Sequence, residues 1–315
     1  MPRMNDILRE SAERLGTISC LGIDPVRGEK TIPEEGTFED DIVKYYTGMF
    51  DEMKERKIYP ASCKENQGFF LREDEPFDTL FEGARALAQV LHLNRESAIP
   101  AILDFKRGDI KKSSANYAVE GFDAWKADMV TVHPYMGEDS VGPFFEKGGA
   151  YMMCRTSNPS AKDLQDLAVV GRFVIDPETK ERKLIDACDP TPLYMKVAEL
   201  AVKWSKDEKY AGNVGVVLGA TYPGELEEVA NYFVNENAEV ALLIPGVGAQ
   251  GGSASECMER LAAAGYDHRL ARISSSSGIN FAWAKKGLTP DQAAKAAVDA
   301  LEELNNEINL QKYLK

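Results

Sequence analysis

Ala101-Ile-Leu-Asp-Phe-Lys-Arg-Gly-Asp-Ile110 is an apolar run that ends in charge. Three apolar residues lead straight into Asp104, which argues for a buried strand rather than a surface helix or loop. Asp104 and Lys106 stand two apart, so on a strand both point to one face. If that face is interior, a carboxylate and an ammonium share a confined space, with Asp109 following in the loop. Charges are costly to bury singly and tolerable when paired. The competing reading is an ordinary surface Asp–Lys pair.

Similar short runs recur on both sides of this one: Ile18–Ile23, Ala61–Lys64, Met129–His133, Tyr151–Arg155, Val214–Gly219, Val240–Ile244 and Arg272–Ser276. Segments with helical periodicity lie between them, among them Asp40–Lys57, Phe77–Leu93, Pro192–Lys206, Glu225–Asn235 and Thr289–Ile308. Eight alternating strand–helix units predict an α/β fold, a (β/α)8 TIM barrel formed as a single domain over residues 1–315. The rival is a doubly wound open sheet with an extra domain. Residues 161–190 break the alternation after strand 5. The stretch Val169–Ile185 reads as a β-hairpin around Asp176–Lys180, either part of a lid on the catalytic face or a plain surface hairpin.

The 315 residues are 44% hydrophobic and 28% charged, the profile of a soluble chain with a sizeable core. The formal net charge of −14 argues against nucleic acid polymers or an anionic membrane as partners. The five cysteines (Cys20, Cys63, Cys154, Cys188, Cys257) show neither zinc spacing nor a disulfide pattern, so a reduced, cytoplasmic setting is expected. The start of the chain lacks the apolar core of a signal peptide. No run approaches the roughly 18 apolar residues of a membrane span. The three histidines, His92, His133 and His268, carry no metal motif. A histidine acid/base or metal cluster is therefore not expected.

In a parallel barrel the active site lies at the C-terminal ends of the strands. Strand 1 there offers Asp24, strand 2 offers Lys64, and strand 3 offers Asp104 and Lys106. Lys64, Asp104, Lys106 and Asp109 could form an alternating array, with Asp24 flanking it. Strand 5 ends in Cys154-Arg-Thr-Ser-Asn-Pro159, where Thr156, Ser157 and Asn158 could bond the polar edge of a heterocycle or simply cap a turn. Strand 7 runs into Pro245-Gly-Val-Gly-Ala-Gln-Gly-Gly252 and strand 8 into Ser274-Ser-Ser-Ser-Gly-Ile279. Loops after strands 7 and 8 often hold phosphate on backbone N–H groups, which makes Gly251, Ser277 and Gly278 candidate contacts.

These motifs together resemble the orotidine 5′-phosphate decarboxylase family, specifically its longer bacterial branch. Asp104-Phe-Lys-Arg-Gly-Asp-Ile110 is similar to the family signature D-x-K-R-x-D-I. Leu21–Pro25, Lys64 with Asn66 and Phe69-Phe70, Thr131–Gly137, Arg155–Pro159, Gly219–Pro223 and Pro245–Gly252 resemble family motifs in the same order. The resemblance implies a homodimer that converts orotidine 5′-monophosphate into UMP and CO2 without metal or organic cofactor. It carries over Asp24 and Lys64 as ribose contacts, Asp104 against the substrate carboxylate, and Lys106 as the proton donor to C6. It implies that Asp109 reaches into the partner's site with Ile110 beside the pyrimidine, that Ser113 stands where Thr is usual, and that Ser157 contacts the base and Gln250 the phosphate.

One departure concerns the phosphate. The family has an arginine in strand 8, as in S-R-x-I, whereas Ser276-Ser-Gly-Ile279 puts Ser277 there. Arg272, Lys285 or Arg172 could supply the missing cation, or amides and hydroxyls could act alone. A non-catalytic or repurposed nucleotide- or phosphosugar-binding paralogue is a further alternative, and a metal-using sugar-phosphate enzyme on a related barrel is another. Strand 2 also departs from the pattern, with Glu65 and Gln67-Gly68 around the lysine.

Overall fold

The computed structural model describes residues 2–28, 30–78, 80–248 and 250–314. Ala249, in the loop after strand 7, lies outside them. The eight expected runs form eight strands: β1 (Ser19–Ile23), β2 (Ser62–Asn66), β3 (Ala101–Arg107), β4 (Met129–Val132), β5 (Gly149–Arg155), β6 (Val214–Leu218), β7 (Ala241–Pro245) and β8 (Ala271–Ser275). Each pairs in parallel with its chain neighbours, and β8 returns to pair with β1, so the sheet is a closed barrel. The closed ring excludes the open doubly wound sheet. Most strand residues are buried, because the interior and the surrounding helices cover both faces.

The longer helices are α1 (Met4–Leu15), α2 (Phe38–Arg56), α3 (Glu82–Glu96), α4 (Lys111–Val119), α5 (Glu138–Lys147), α6 (Leu193–Ser205), α7 (Pro223–Asn235), α8 (Ala254–Ala263) and α9 (Ala293–Ile308). Local chemistry sets their ends. Thr37 caps α2 by accepting the Asp40 N–H. Acidic Glu39, Asp40 and Asp41 occupy its first turn and basic Lys54 and Arg56 its last, matching the helix dipole. The helix expected over Phe77–Leu93 starts later, at Glu82. Glu75 and Leu80 pair through two backbone hydrogen bonds and keep the intervening residues, Pro76–Asp78 in a 3-10 turn, out of the α-helix.

α1 lies against the N-terminal end of the barrel. The Met4 N–H donates to Asn213 Oδ1 at 3.0 Å and the Asn5 N–H to Gly212 O at 2.9 Å, just before β6. Arg272, fully buried on β8, turns its guanidinium to this end. It donates to Leu8 O at 2.7 Å and Ser11 Oγ at 2.5 Å. The opposite end of the barrel carries the candidate site.

After β5 the chain leaves the barrel. Ala168–Val169 pairs with Thr191–Pro192, and beyond them Arg172–Ile175 pairs antiparallel with Arg182–Ile185. The turn between the longer pair is held by Asp176, whose Oδ1 accepts the N–H groups of Glu178 and Thr179 at 3.0 Å each. The hairpin is mostly exposed, including Phe173 and Ile175.

Glu65 sits on β2 beside Lys64, fully buried and bonded on one oxygen by the Asn94 amide of α3. Its other oxygen has no partner among the described residues. Burial pushes this carboxyl up to about 7, although the Asn94 bond opposes the rise. A raised carboxyl imposes no folding penalty below its unfolded value and a growing one as pH rises through the folded value. A shift of this size is on the order of 3 kcal/mol. Glu65→Gln should therefore raise stability in urea unfolding above pH 7, with the gain shrinking towards pH 4.5; an equal gain at both ends of that range would contradict this account.

Candidate active site

β2, β3 and β4 end side by side and bring four groups together: Lys64, Asp104, Lys106 and Thr131. Asp104, 6% exposed, stands in the centre. Its Oδ2 accepts from Lys64 Nζ at 2.8 Å, and its Oδ1 accepts from Lys106 Nζ at 2.5 Å and from Thr131 Oγ1 at 2.8 Å. Burial opposes the Asp104 charge, but the two ammonium groups outweigh it and hold the carboxyl well below the usual carboxylate range. Burial likewise opposes the Lys64 charge, and the Asp104 and Asp24 carboxylates overcome it, pushing Lys64 above the usual lysine value. Asp104 and Lys64 thus form a fixed pair of opposite charges.

The backbone route to Lys106 is irregular. Lys106 has φ +45°, and the β3–β4 register shifts between Leu103 and Arg107. The kink lifts Lys106 into partial exposure while its ammonium still reaches back to Asp104. Thr131 stabilises the kink, because its Oγ1 accepts the Lys106 N–H at 3.0 Å. A left-handed backbone at a lysine costs energy and persists only where its surroundings hold it. Arg107 anchors the next residue, bonding Glu120 Oε1 at 3.0 Å and Gln67 Oε1 at 3.1 Å.

The cluster opens into a cavity of about 700 Å³. Thr156, Ser157 and Asn158 line its far wall, with Met153, Tyr194 and Leu200 contributing apolar surface. Ser157 is wedged against the end of β6, where a Cβ on Gly219 would come within 3.0 Å of it. His133 lines the mouth. Its ring meets solvent, yet partial burial and then the Lys106 charge push the imidazole below its usual value.

A second cavity of about 360 Å³ adjoins the first, with Lys64 common to both. Asp24, Gln250, Ser274, Ser276 and Ser277 line it. One Asp24 oxygen is buried and unpartnered among the described residues. The ends of β1 and β8 approach closely here, since a Cβ on Gly22 would lie 2.8 Å from Ser276 Cβ. Gly251 takes φ +89°, a conformation that suits glycine. Gly278 follows Ser277 in the short helix after β8.

Several expected residues lie elsewhere. Asp109 is not part of the cluster within this chain. Its carboxylate turns to its own loop, where Oδ1 accepts the Ile110 N–H at 2.7 Å. Ile110 is 64% exposed at the start of α4, and Ser113 sits in that helix's first turn. None of the three lines either cavity. The proposed substitutes for the phosphate arginine are corrected as well. Arg272 faces the wrong end of the barrel, Arg172 pairs with Asp186 on the hairpin at 2.5 Å, and Lys285 is exposed away from both cavities. Among the described residues, Lys64 is the one cation lining the second cavity.

Two contributors escaped sequence reasoning. Thr131 had a usable signal, a lone hydroxyl within the apolar run Met129–Val132. Gln165 had none. It bonds Thr156 from the segment after β5 and lines the first cavity. Among the described residues no group of three or more His, Cys, Asp or Glu side chains is placed to hold a metal ion.

A closed parallel barrel with a Lys–Asp–Lys cluster around a buried aspartate at the C-terminal strand ends is the framework of an α/β-barrel enzyme. A family model described as orotidine 5′-phosphate decarboxylase / HUMPS family matches residues 69–273. A relative named orotidine 5′-phosphate decarboxylase from Aromatoleum aromaticum is 38% identical over 301 residues, covering 95% of this chain and 97% of the relative. One of the same name from Azoarcus sp. is 33% identical over 301 residues, covering 94% of each. The solved structure of Leishmania donovani OMP decarboxylase superposes with a TM-score of 0.68 at 28% identity, covering 100% of both chains. The chain belongs to the orotidine 5′-phosphate decarboxylase / HUMPS family.

Thr131→Val removes a bond to Asp104 and the acceptor for the Lys106 N–H. Losing buried hydrogen bonds of this kind should cost about 1–3 kcal/mol. Urea unfolding would measure it, and an unchanged midpoint would show that Thr131 does not support the kink.

Proposed function

We infer that this chain is a carboxy-lyase that converts orotidine 5′-monophosphate into UMP and CO2 in de novo pyrimidine biosynthesis. The observation that carries this reading is the Lys106 ammonium held on Asp104, with Asp104 itself held by Lys64 and Thr131. The substrate carboxylate lies against Asp104, where like charge disfavours the bound ground state. The bond from C6 to the carboxylate breaks, CO2 departs, and the electron pair stays on C6. Lys106 stabilises that pair and transfers a proton to C6, then regains one from solvent. This is electrostatic preorganisation followed by general acid catalysis, and it calls for no metal or organic cofactor.

The remaining roles follow from the cavities. The unpartnered Asp24 oxygen accepts a ribose hydroxyl, and Lys64 donates to the ribose. Ser157 meets the base, with Thr156 beside it in the same wall of the cavity. Gln250, Ser277 and the backbone at Gly251 and Gly278 hold the phosphate. Ser277 stands where the longer bacterial branch, to which we assign this chain, carries arginine. Phosphate binding here therefore rests on hydroxyls and amides. The unit is a single (β/α)8 domain over residues 1–315, with residues 161–190 inserted after the fifth strand.

The chain acts as a homodimer. Asp109, Ile110 and Ser113 lie outside the cavities of their own chain and serve the partner's site, Asp109 completing the cluster there and Ile110 packing beside the pyrimidine. The five unpaired cysteines suit a reducing, cytoplasmic setting. No described helix is long and apolar enough to cross a membrane.

Incubation with orotidine 5′-monophosphate should deplete the substrate's ultraviolet absorbance, and Lys106→Ala should abolish turnover with a much smaller loss of UMP binding. No turnover by the native chain at high enzyme and substrate would overturn the assignment; equal losses of turnover and binding in the variant would make Lys106 a binding group. Ser277→Arg should tighten UMP binding in calorimetry by about tenfold, as a charge-assisted contact supplies. An unchanged affinity would move the phosphate away from Ser277.

A further inference from the structure

The segment that leaves the barrel after β5 is tied back to the strand at two adjacent residues. Asp166 Oδ1 lies 2.9 Å from Arg155 Nη1, and the Arg155 guanidinium stands 4.0 Å from the centre of the Tyr222 ring. Next to that anchor, Gln165 grips Thr156 with both ends of its amide. Gln165 Oε1 accepts the Thr156 N–H at 2.9 Å, and Gln165 Nε2 donates to Thr156 Oγ1 at 2.8 Å. Thr156 Oγ1 in turn donates to Asn158 Oδ1 at 2.7 Å.

The direction of this chain of bonds is fixed at its origin. A backbone N–H can only donate, so the Gln165 oxygen must face it and the Gln165 nitrogen must face the hydroxyl. The Thr156 hydroxyl receives that bond and sends its own proton on to Asn158. The Asn158 oxygen is thereby turned towards Thr156, and its Nδ2, at the other end of the amide, is the group left to donate. Thr156, Ser157 and Asn158 line the cavity that opens from Lys64, Asp104 and Lys106. A uracil edge offers carbonyl oxygens as acceptors, whereas cytosine carries an amino donor in place of one of them. A donor held at Asn158 fits the former and leaves the latter unpaired.

We propose that Gln165 is a positioning residue for base specificity, which orients Asn158 through Thr156 so that the site presents a donor to a pyrimidine carbonyl. The proposal rests on the reading that this cavity takes the base of orotidine 5′-monophosphate. It gives the segment after β5 a part in choosing the substrate. Gln165 works through Thr156 and Asn158 and does not take part in the chemistry at C6.

The test uses the full chain with UMP, cytidine 5′-monophosphate and ribose 5-phosphate as probes in calorimetry. The native protein should prefer UMP to cytidine 5′-monophosphate. Gln165→Met, which keeps length and neutrality but neither donates nor accepts strongly, should weaken UMP binding about tenfold and erase the preference, the loss expected for one directed hydrogen bond. Ribose 5-phosphate binding should not change. Thr156→Val keeps the N–H bond to Gln165 and cuts the relay at the hydroxyl, so it should reproduce the effect with an unaltered melting temperature. In turnover, KM should rise with kcat nearly constant, because the contact exists before and during reaction. An intact preference in both variants, or parallel losses for UMP and ribose 5-phosphate, overturns the proposal. A native protein that binds UMP without preferring it also overturns it. Failure of the native protein both to bind UMP and to turn over orotidine 5′-monophosphate overturns the underlying functional reading instead.

Discussion

Asp104 is the group on which the site depends. It is nearly inaccessible to water, and a lone buried carboxylate there would be expensive. Three donors from three strands make it tolerable: Lys64 from β2, Lys106 from its own strand and Thr131 from β4. The dependence runs both ways. Lys64 is buried as well, and without Asp104 its charge would lack its closest partner. Each member therefore holds its neighbours in one geometry, as a catalytic ammonium requires if it is to be in place before charge develops.

The barrel supplies that geometry cheaply because adjacent parallel strands end at nearly the same height. One of its irregularities falls at Lys106. A straight β3 would continue the inward alternation of Asp104; the register shift instead raises Lys106 towards the cavity. The strained residue is also the one assigned to proton transfer, which fits the tendency of local strain to gather at functional sites. The Arg107–Glu120–Gln67 bonds and the Thr131 acceptor hold the strain on either side.

Much of this was legible from residue order. The eight apolar runs alternate with helical segments in a pattern that suits a closed parallel sheet, and the charged end of Ala101–Ile110 pointed to the site. Strand alternation also named the Asp104–Lys106 contact, although the real backbone reaches it through a kink that a period-two rule does not contain. Other features were not legible for physical reasons. The side-chain direction of Arg272 depends on α1 lying across the far end of the barrel, a contact 264 residues distant in sequence. Gln165 acts from an irregular segment whose path no periodicity encodes. Asp109 looks like a fourth member of the cluster in the linear motif, yet one chain alone turns it to its own loop.

The two cavities divide the demands of the ligand unequally. In the proposed reading the first cavity places charge at the reacting end, where no neutral group could serve, since a carbanion needs a cation and a proton beside it. At the other end the polar lining is the Asp24 carboxylate with serine hydroxyls and the Gln250 amide, and Lys64, the one cation there among the described residues, is already bonded to Asp104. Phosphate can be held by several weaker donors in concert, because its charge is spread over equivalent oxygens and does not change during the reaction. A proton donor at C6 admits no such substitution, because it must act on one atom from one direction. In the proposed reading, serine in place of arginine at position 277 is therefore tolerable in a way that loss of Lys106 would not be. In the assigned reaction, substitution at the phosphate end trades affinity, while the Lys–Asp–Lys cluster governs whether chemistry occurs at all.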